Sequence, residues 1–86
     1  MKCIVVELTD GSIEAYAYPD DESAAAWFGE CRTEWNAGRN LIFYLRPGYA
    51  GSYVMRHGDS VAHLELASLD DVKTRGVDFR EAIIFG

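Results

Sequence analysis

Residues 2–18 read KCIVVELTDGSIEAYAY, which is the pattern of two strands joined by a turn. The first seven of them are mostly apolar and β-branched, as is typical of a buried strand. The Asp10-Gly11 pair predicts a two-residue hairpin turn, because glycine adopts the positive φ of such turns without steric cost. Residues 12–18 then alternate in polarity, which predicts a second strand antiparallel to the first.

The position of the turn predicts which side chains share a face of this hairpin. Centring it on Asp10-Gly11 pairs Leu8 with Ile13 and Val6 with Ala15. The face directed at the core then carries Ile4, Val6, Leu8, Ile13, Ala15 and Ala17. The open face carries Cys3, Val5, Glu7, Glu14, Tyr16 and Tyr18. A slip of one residue in register would exchange the faces of one strand.

The segment after Pro19 predicts the main helix, over residues 21–37. Asp20 or Asp21 can cap its first turn, where carboxylates are favoured because the helix dipole is positive there. Gly38 is placed to end the helix in a left-handed conformation. Apolar side chains recur at helical spacing and predict the buried face: Ala24, Trp27, Phe28, Cys31 and Trp35.

The rest of the chain predicts four more strands and a short helix. We expect strands at residues 40–46, 52–57, 60–67 and 77–85, a loop at 47–51, and a hairpin joined at Gly58-Asp59. Ser68-Leu69-Asp70-Asp71 resembles a capping box that begins a short helix ending at Gly76. The order is ββαβββ, short helix, β. It predicts a single α+β domain over residues 1–86, with an antiparallel sheet of five to six strands packed on one main helix.

Simple hairpins through the middle strands predict two further sets of side chains. The set expected to pack on the helix is Leu41, Phe43, Leu45, Tyr53, Met55, Ala62, Leu64 and Leu66. The opposite set mixes charged and aromatic residues: Ile42, Tyr44, Arg46, Ser52, Val54, Arg56, Val61, His63 and Glu65. Tyrosine and arginine are typical of protein interfaces. Together with the open face of the first hairpin, this set predicts a partner-binding surface of Glu7, Glu14, Tyr16, Tyr18, Tyr44 and Arg46.

The composition favours a protein partner with a basic surface. The 86 residues include 14 acidic and 8 basic side chains, a formal net charge of -6. This balance disfavours binding to phosphate backbones and to anionic membrane surfaces. The N-terminal segment is too short for a signal peptide, and no apolar run approaches about 20 residues. We therefore expect a cytoplasmic protein with Cys3 and Cys31 as free thiols.

Two patterns point to chemistry, and each has a simpler interpretation. Arg56-His57-Gly58 resembles the three-residue core of the histidine-phosphatase signature, in which the histidine accepts a phosphoryl group and the arginine binds phosphate. Gly58-Asp59 is explained more simply as a hairpin turn. Cys3 and His63 could form a nucleophile pair if the sheet brings them together, but a cysteine at Cys3 is more often an apolar core residue. We expect no catalytic residue, no metal site and no cofactor.

The leading interpretation is a non-enzymatic protein-binding domain, an inhibitor or accessory subunit. Its small, acidic and compact profile resembles that of phage-encoded inhibitors of host nucleic-acid machinery, such as anti-CRISPR proteins. That resemblance implies a partner whose basic nucleic-acid channel the acidic surface occupies. One alternative is a structural or self-associating domain, including a homodimer. Another is a sheet that stacks single-stranded nucleic acid on Tyr16, Tyr18, Tyr44, Arg46 and Arg56.

Overall fold

The computed structural model describes residues 1–46 and 53–84. The described elements, in chain order, are β1 (Lys2–Leu8), β2 (Ile13–Ala17), α1 (Asp21–Asn36), β3 (Leu41–Leu45), β4 (Tyr53–Arg56), a 3-10 turn (Gly58–Ser60), β5 (Val61–Ser68), α2 (Leu69–Thr74) and β6 (Phe79–Ile83). The predicted α+β class and order of elements are confirmed. The predicted loop at 47–51, Ser52 and the predicted strand end at residue 85 lie outside the described residues.

The described strands form one six-stranded sheet in the order β4-β3-β6-β2-β1-β5. Strand β6 lies between β2 and β3, parallel to the first and antiparallel to the second. The sheet is therefore mixed, and the prediction of a purely antiparallel sheet is wrong. Hairpin signals could not place β6, because no tight turn joins it to either of its neighbours.

Strands β4 and β5 were predicted to pair as a hairpin, and that prediction is also wrong. They lie at opposite ends of the strand order, yet only residues 57–60 connect them. In a flat sheet they would be about 24 Å apart, at roughly 4.8 Å per strand, while the connection spans at most about 18 Å. The sheet therefore curls until its two edges approach each other. The Thr9 amide donates to the Ser60 carbonyl at 2.9 Å, which ties the connection to the end of β1.

Helix α1 packs on the face that the sheet encloses. Its predicted start is confirmed, because the Asp20 carboxylate accepts the Ser23 amide at 2.6 Å, and Gly38 has the predicted positive φ of 74°. The Trp27 indole donates to the Ile42 carbonyl at 2.9 Å, and the Trp35 indole donates to the Val61 carbonyl at 3.2 Å. These two hydrogen bonds fix α1 to β3 on one side and to β5 on the other.

Helix α2 covers the opposite face of the sheet, which the prediction of one packing helix missed. Ser68 caps it as predicted, because the Ser68 hydroxyl accepts the Asp71 amide at 3.1 Å. Val72 is fully buried against small side chains of β1 and β2. This second core cluster consists of Cys3, Val5, Ala15, Ala17 and Val72. Both faces of β1 and β2 are therefore covered.

The first hairpin has a register one residue away from the prediction. Glu7 lies opposite Ile13 and Val5 lies opposite Ala15. The Leu8 amide donates to the Ser12 carbonyl at 2.8 Å, so Leu8 and Ser12 close a loop of three residues, 9–11, instead of two. This shift turns Tyr16 toward α1, beside Ile4 and Val6 of β1, which were correctly predicted to face the core. The predicted faces of β2 are therefore exchanged.

Strands β4 and β5 also depart from the predicted faces. Val54 lies opposite Phe43 and packs against the main core, whereas Tyr53 and Met55, predicted to be inside, are exposed. A bulge in β5 shifts the register beside Leu8, so Val61 is buried although it was predicted to lie on the open face. The inward set of β3 is confirmed: Leu41, Phe43 and Leu45 are buried in the main core.

Candidate functional site

The six residues predicted to bind a partner do not form one surface. Tyr16 and Tyr18 are 2% and 0% exposed, and the Tyr16 ring stacks on Phe43 with centroids 4.2 Å apart and planes 1° apart. Burial raises the pKa of both hydroxyls, so both tyrosines remain neutral. The Tyr18 hydroxyl finds no hydrogen-bond partner among the described residues. The prediction that these tyrosines belong to an open face is wrong.

Glu14 is half-buried in a network with Arg56. Arg56 Nε donates to Glu14 Oε1 at 2.8 Å and Arg56 Nη2 donates to Oε2, while the Tyr16 hydroxyl donates to Oε1 at 3.2 Å. These hydrogen bonds from Arg56 lower the pKa of the Glu14 carboxyl. The same hydrogen bonds raise the pKa of the Arg56 guanidinium. Glu14 is therefore occupied by a residue of its own chain.

The histidine-phosphatase resemblance gains no support from the geometry. The Arg56 guanidinium is directed at Glu14, whereas His57 Nδ1 lies 3.0 Å from Asn40 Oδ1. The two side chains contact different residues, so Arg56 and His57 do not converge on one site. Gly58 has a further reason to be glycine, because a Cβ there would lie 2.6 Å from the Arg39 carbonyl oxygen.

Cys3 and His63 do not form a nucleophile pair either. Cys3 lies opposite Ala67 on β5, while His63 lies opposite Glu7. Four residue positions therefore separate them along the strands, about 13 Å at roughly 3.3 Å per residue. Glu7 itself is exposed on β1, away from the α1 side.

Of the six residues predicted to bind a partner, Tyr44 lines a candidate pocket, whereas Arg46 lies outside it. Arg46 is exposed and its Nη1 donates to Glu81 Oε2 at 2.7 Å. The Tyr44 ring lies 5.9 Å from the Trp27 ring, at an angle of 58°. These two rings belong to a pocket of about 210 Å³ between α1 and β3, lined by Trp27, Glu30, Cys31, Glu34, Asn40, Leu41, Ile42 and Tyr44.

The helical repeat of α1 builds one wall of this pocket. Trp27, Glu30, Cys31 and Glu34 stand at spacings i, i+3, i+4 and i+7, so they form one stripe along the helix. The stripe borders the buried face: Cys31 is buried, Trp27 and Glu34 are half-buried, and Glu30 is exposed. Trp27 and Cys31 were predicted from sequence to lie in the core, whereas Glu30 and Glu34 on the same stripe were overlooked. Their i, i+4 spacing beside Trp27 is the signal that could have revealed the stripe.

Negative charge is concentrated along α1 and its N-cap. From Asp20 to Asn36 the chain has five carboxylates and a single basic side chain, Arg32, a balance of -4 against -6 for the whole chain. Burial, followed by the charges of Glu30 and Glu34, raises the pKa of the Cys31 thiol to about 12. The thiol is therefore neutral. The surface of α1 that carries its carboxylates, called here the acidic face of α1, comprises Asp20, Asp21 and Glu22 at the N-terminal end and Glu30 and Glu34 at the pocket.

The two pocket carboxylates differ in availability. Glu34 already accepts two hydrogen bonds from Arg39, 2.7 Å from Nε and 3.1 Å from Nη2. Glu30 has neither a hydrogen bond nor an ion pair within the described part of the chain. An incoming cation would therefore meet Glu30 as the open carboxylate.

Comparison with known proteins finds no matching family model, no matching curated protein and no matching solved structure. Over residues 1–46 and 53–84, no three His, Cys, Asp or Glu side chains are grouped so that they could hold a metal ion. None of the described helices is both long enough and apolar enough to cross a membrane.

Proposed function

We propose that this chain is a small non-enzymatic protein-binding domain that contacts a basic partner surface through the acidic face of α1. The observation that carries the proposal is the concentration of five carboxylates on this one helix and its N-cap, two of which line the aromatic pocket at Trp27 and Tyr44. Complementary charge steers association and selects the partner, and aromatic side chains supply contact area. An inhibitor in the cytoplasm that covers the nucleic-acid channel of a host complex is the specific form we favour.

The proposed interface differs from the surface expected from the sequence. Tyr16 and Tyr18 are buried, and Glu14 is bound to Arg56, so these residues offer a partner little. The same placement weakens the single-stranded nucleic-acid alternative, because Tyr16, Tyr18 and Arg56 are not free to stack bases. Tyr44 is the residue of the expected surface that the proposed interface retains.

A pair of charge-reversal variants tests the proposal. Glu22→Lys with Glu30→Lys changes the acidic face of α1, whereas Glu7→Lys with Asp70→Lys changes other surfaces by the same net charge. Glu22 and Asp70 each lie in the first turn of a helix, so the loss of favourable dipole interaction is matched. We expect the first variant alone to lose a basic protein that the wild type captures from its native host.

The salt dependence of that capture gives a second readout. Exposed charges are screened within about 8–10 Å near physiological ionic strength, so association should slow and weaken between low and high salt. Equal loss of capture in both double variants would assign the effect to total charge and refute an interface on α1. Binding of RNA by the purified chain at physiological salt, with no protein partner, would favour the nucleic-acid alternative.

Self-association is the second candidate, and the edge strand β4 favours it. Tyr53 and Met55 are 56% and 45% exposed on this strand. An edge strand with exposed apolar side chains is a surface on which another strand can pair. Under this candidate, sedimentation equilibrium would give a mass that rises with concentration, and Tyr53→Ser with Met55→Ser would restore the monomer. A constant monomer mass over the accessible range would contradict it.

A further inference from the structure

We infer that the pocket between α1 and β3 is a socket for one arginine side chain of the partner. This inference rests on the proposed function and specifies the chemistry that the acidic face of α1 recognises. Four features of the pocket carry it: its size, its aromatic wall, its apolar lining and its open carboxylate.

The size of the pocket fits a side chain. Its volume is about 210 Å³, whereas pockets for drug-sized ligands are roughly 300–1,000 Å³. Leu41 and Ile42 contribute to its lining, and Cys31 adds a neutral buried thiol. Such a lining suits the methylene stem of a long basic residue, which buries its carbons and keeps its charged end toward water.

The aromatic wall suits a flat cation. The Trp27 indole is held by its hydrogen bond to the Ile42 carbonyl, so its orientation is fixed before any ligand arrives. Tyr44 meets it at 58°, which forms a corner of two rings. Cations are attracted to the faces of such rings, and tryptophan is the most favourable of them. A guanidinium adds stacking to this attraction, because it is planar and weakly hydrated.

The carboxylates point to arginine in preference to lysine. Arg39 of this chain already binds both Glu34 oxygens through Nε and Nη2, so a guanidinium fits the carboxylate row on α1. Glu30 stands one turn earlier on the same stripe, and none of the described residues binds it. A second guanidinium could make the same paired hydrogen bonds to Glu30, which an ammonium cannot reproduce.

A peptide titration followed by NMR tests the socket. The probe is a blocked Gly-Gly-Arg-Gly-Gly peptide. Its matched control carries citrulline, the neutral isostere of arginine, and a third peptide carries lysine. We expect the arginine peptide to shift the Trp27 indole N–H signal and the signals of Glu30 and Tyr44, and to bind at least several-fold more tightly than the other two. The Trp35 indole signal should stay unchanged and serves as an internal reference.

Two variants of equal charge separate the socket from general attraction. Glu30→Gln should weaken the arginine peptide about tenfold, because it removes a charge-assisted pair. Glu22→Gln removes the same charge from the same helix outside the pocket, and its effect should stay within about twofold. Equal effects of the two variants, or equal affinity for the citrulline or lysine peptide, would overturn the assignment.

The outcomes also separate this inference from the proposed function. If no peptide binds the pocket while reversal of the α1 charges still abolishes capture of the partner, the socket is refuted and the proposed function stands. If the arginine peptide binds as described while reversal of the α1 charges leaves capture unchanged, the pocket recognises arginine but the proposed interface is refuted. In that case the assignment of the arginine to the partner is overturned with it.

Discussion

At the scale of single residues, the stack of Tyr16 on Phe43 stands at the centre of the enclosed core. Phe43 is fully buried, whereas Phe28 is half-buried and has the Arg32 guanidinium 5.9 Å from its ring. Phe43→Ala should therefore lower the free energy of unfolding by about 3–5 kcal/mol, as large-to-small core substitutions do. Phe28→Ala should cost clearly less. Urea denaturation measures both, and equal costs would contradict the burial of Phe43 beneath α1.

Acid should weaken the Glu14–Arg56 pair. The pKa of the Glu14 carboxyl is lowered in the folded chain, chiefly by hydrogen bonds from Arg56. Its stabilising contribution is therefore present above the ordinary glutamate pKa of about 4.3 and is lost as the pH falls through the lower folded value. The Arg56 side chain is 32% exposed and the Glu14 side chain is 25% exposed. Solvent screening therefore limits the contribution of the pair to about 1 kcal/mol.

The free energy of unfolding should depend on pH with different slopes in the wild type and in Glu14→Gln, between about pH 5 and about pH 2.5. Wild-type stability, measured by urea denaturation, should fall more steeply than that of Glu14→Gln. Glu7→Gln, which alters an exposed carboxylate on the other face of β1, should follow the wild type. Parallel profiles for wild type and Glu14→Gln would mean that the pair contributes nothing.

Residues whose role depends on near neighbours could be predicted from the sequence. Asp20 and Ser68 cap helices because their partners lie three residues away, and Gly38 ends α1 for an equally local reason. Glu14 was misjudged because its partner Arg56 lies 42 residues away. The site residue Glu30 was overlooked because its spacing from Glu34 indicates a shared helix stripe but does not reveal that β3 completes a pocket there.

At the scale of elements, two glycines should respond oppositely to the same substitution. A Cβ on Gly58 would lie 2.6 Å from the Arg39 carbonyl oxygen, so Gly58→Ala must displace backbone and should cost about 1–3 kcal/mol. Gly29 lies inside α1 with open space around it, so Gly29→Ala should stabilise the protein by about 0.5–1 kcal/mol. Thermal unfolding measures both, and a neutral Gly58→Ala would contradict the close approach.

The loop of the first hairpin explains why the alternating polarity of β2 did not predict its faces correctly. The Asp10 carboxylate accepts both the amide and the hydroxyl of Ser12, at 2.9 Å and 2.6 Å, which stabilises a loop of three residues, 9–11. One extra loop position changes the face of every following side chain. Both faces of β2 are covered, so the polarity of its side chains does not indicate which face points toward α1. The large tyrosines fill the space under α1, and the alanines leave room for α2.

At the scale of the whole molecule, β6 joins two half-sheets. Its start pairs with β2 and its end pairs with β3. A chain truncated after residue 76 should therefore lose cooperative unfolding in urea, because β3-β4 and β2-β1-β5 would no longer share a sheet. A chain that ends at residue 84 keeps β6 and should unfold in one transition. Retention of a cooperative transition without β6 would contradict this account of the sheet.

The curvature of the sheet could not be predicted from local patterns. It follows from the pairing of β1 with β5 and of β2 with β6, in which Ile4 meets Leu66 and Tyr16 meets Arg80. More than sixty residues separate each pair, and no turn signal spans such a distance. The candidate pocket depends on the same global arrangement, since α1 must lie against β3 before Trp27 can meet Tyr44.

The central position of β6 also affects the kinetics of folding. Strand β6 follows all the other described elements in chain order, yet its neighbours in the sheet were both synthesised long before it. Until it inserts, β2 and β3 keep unpaired edges, which are surfaces for aggregation. Contacts between distant residues also require closure of long loops before they contribute stability. Refolding should therefore take milliseconds to seconds, in the range of domains with distant strand pairings, and not microseconds.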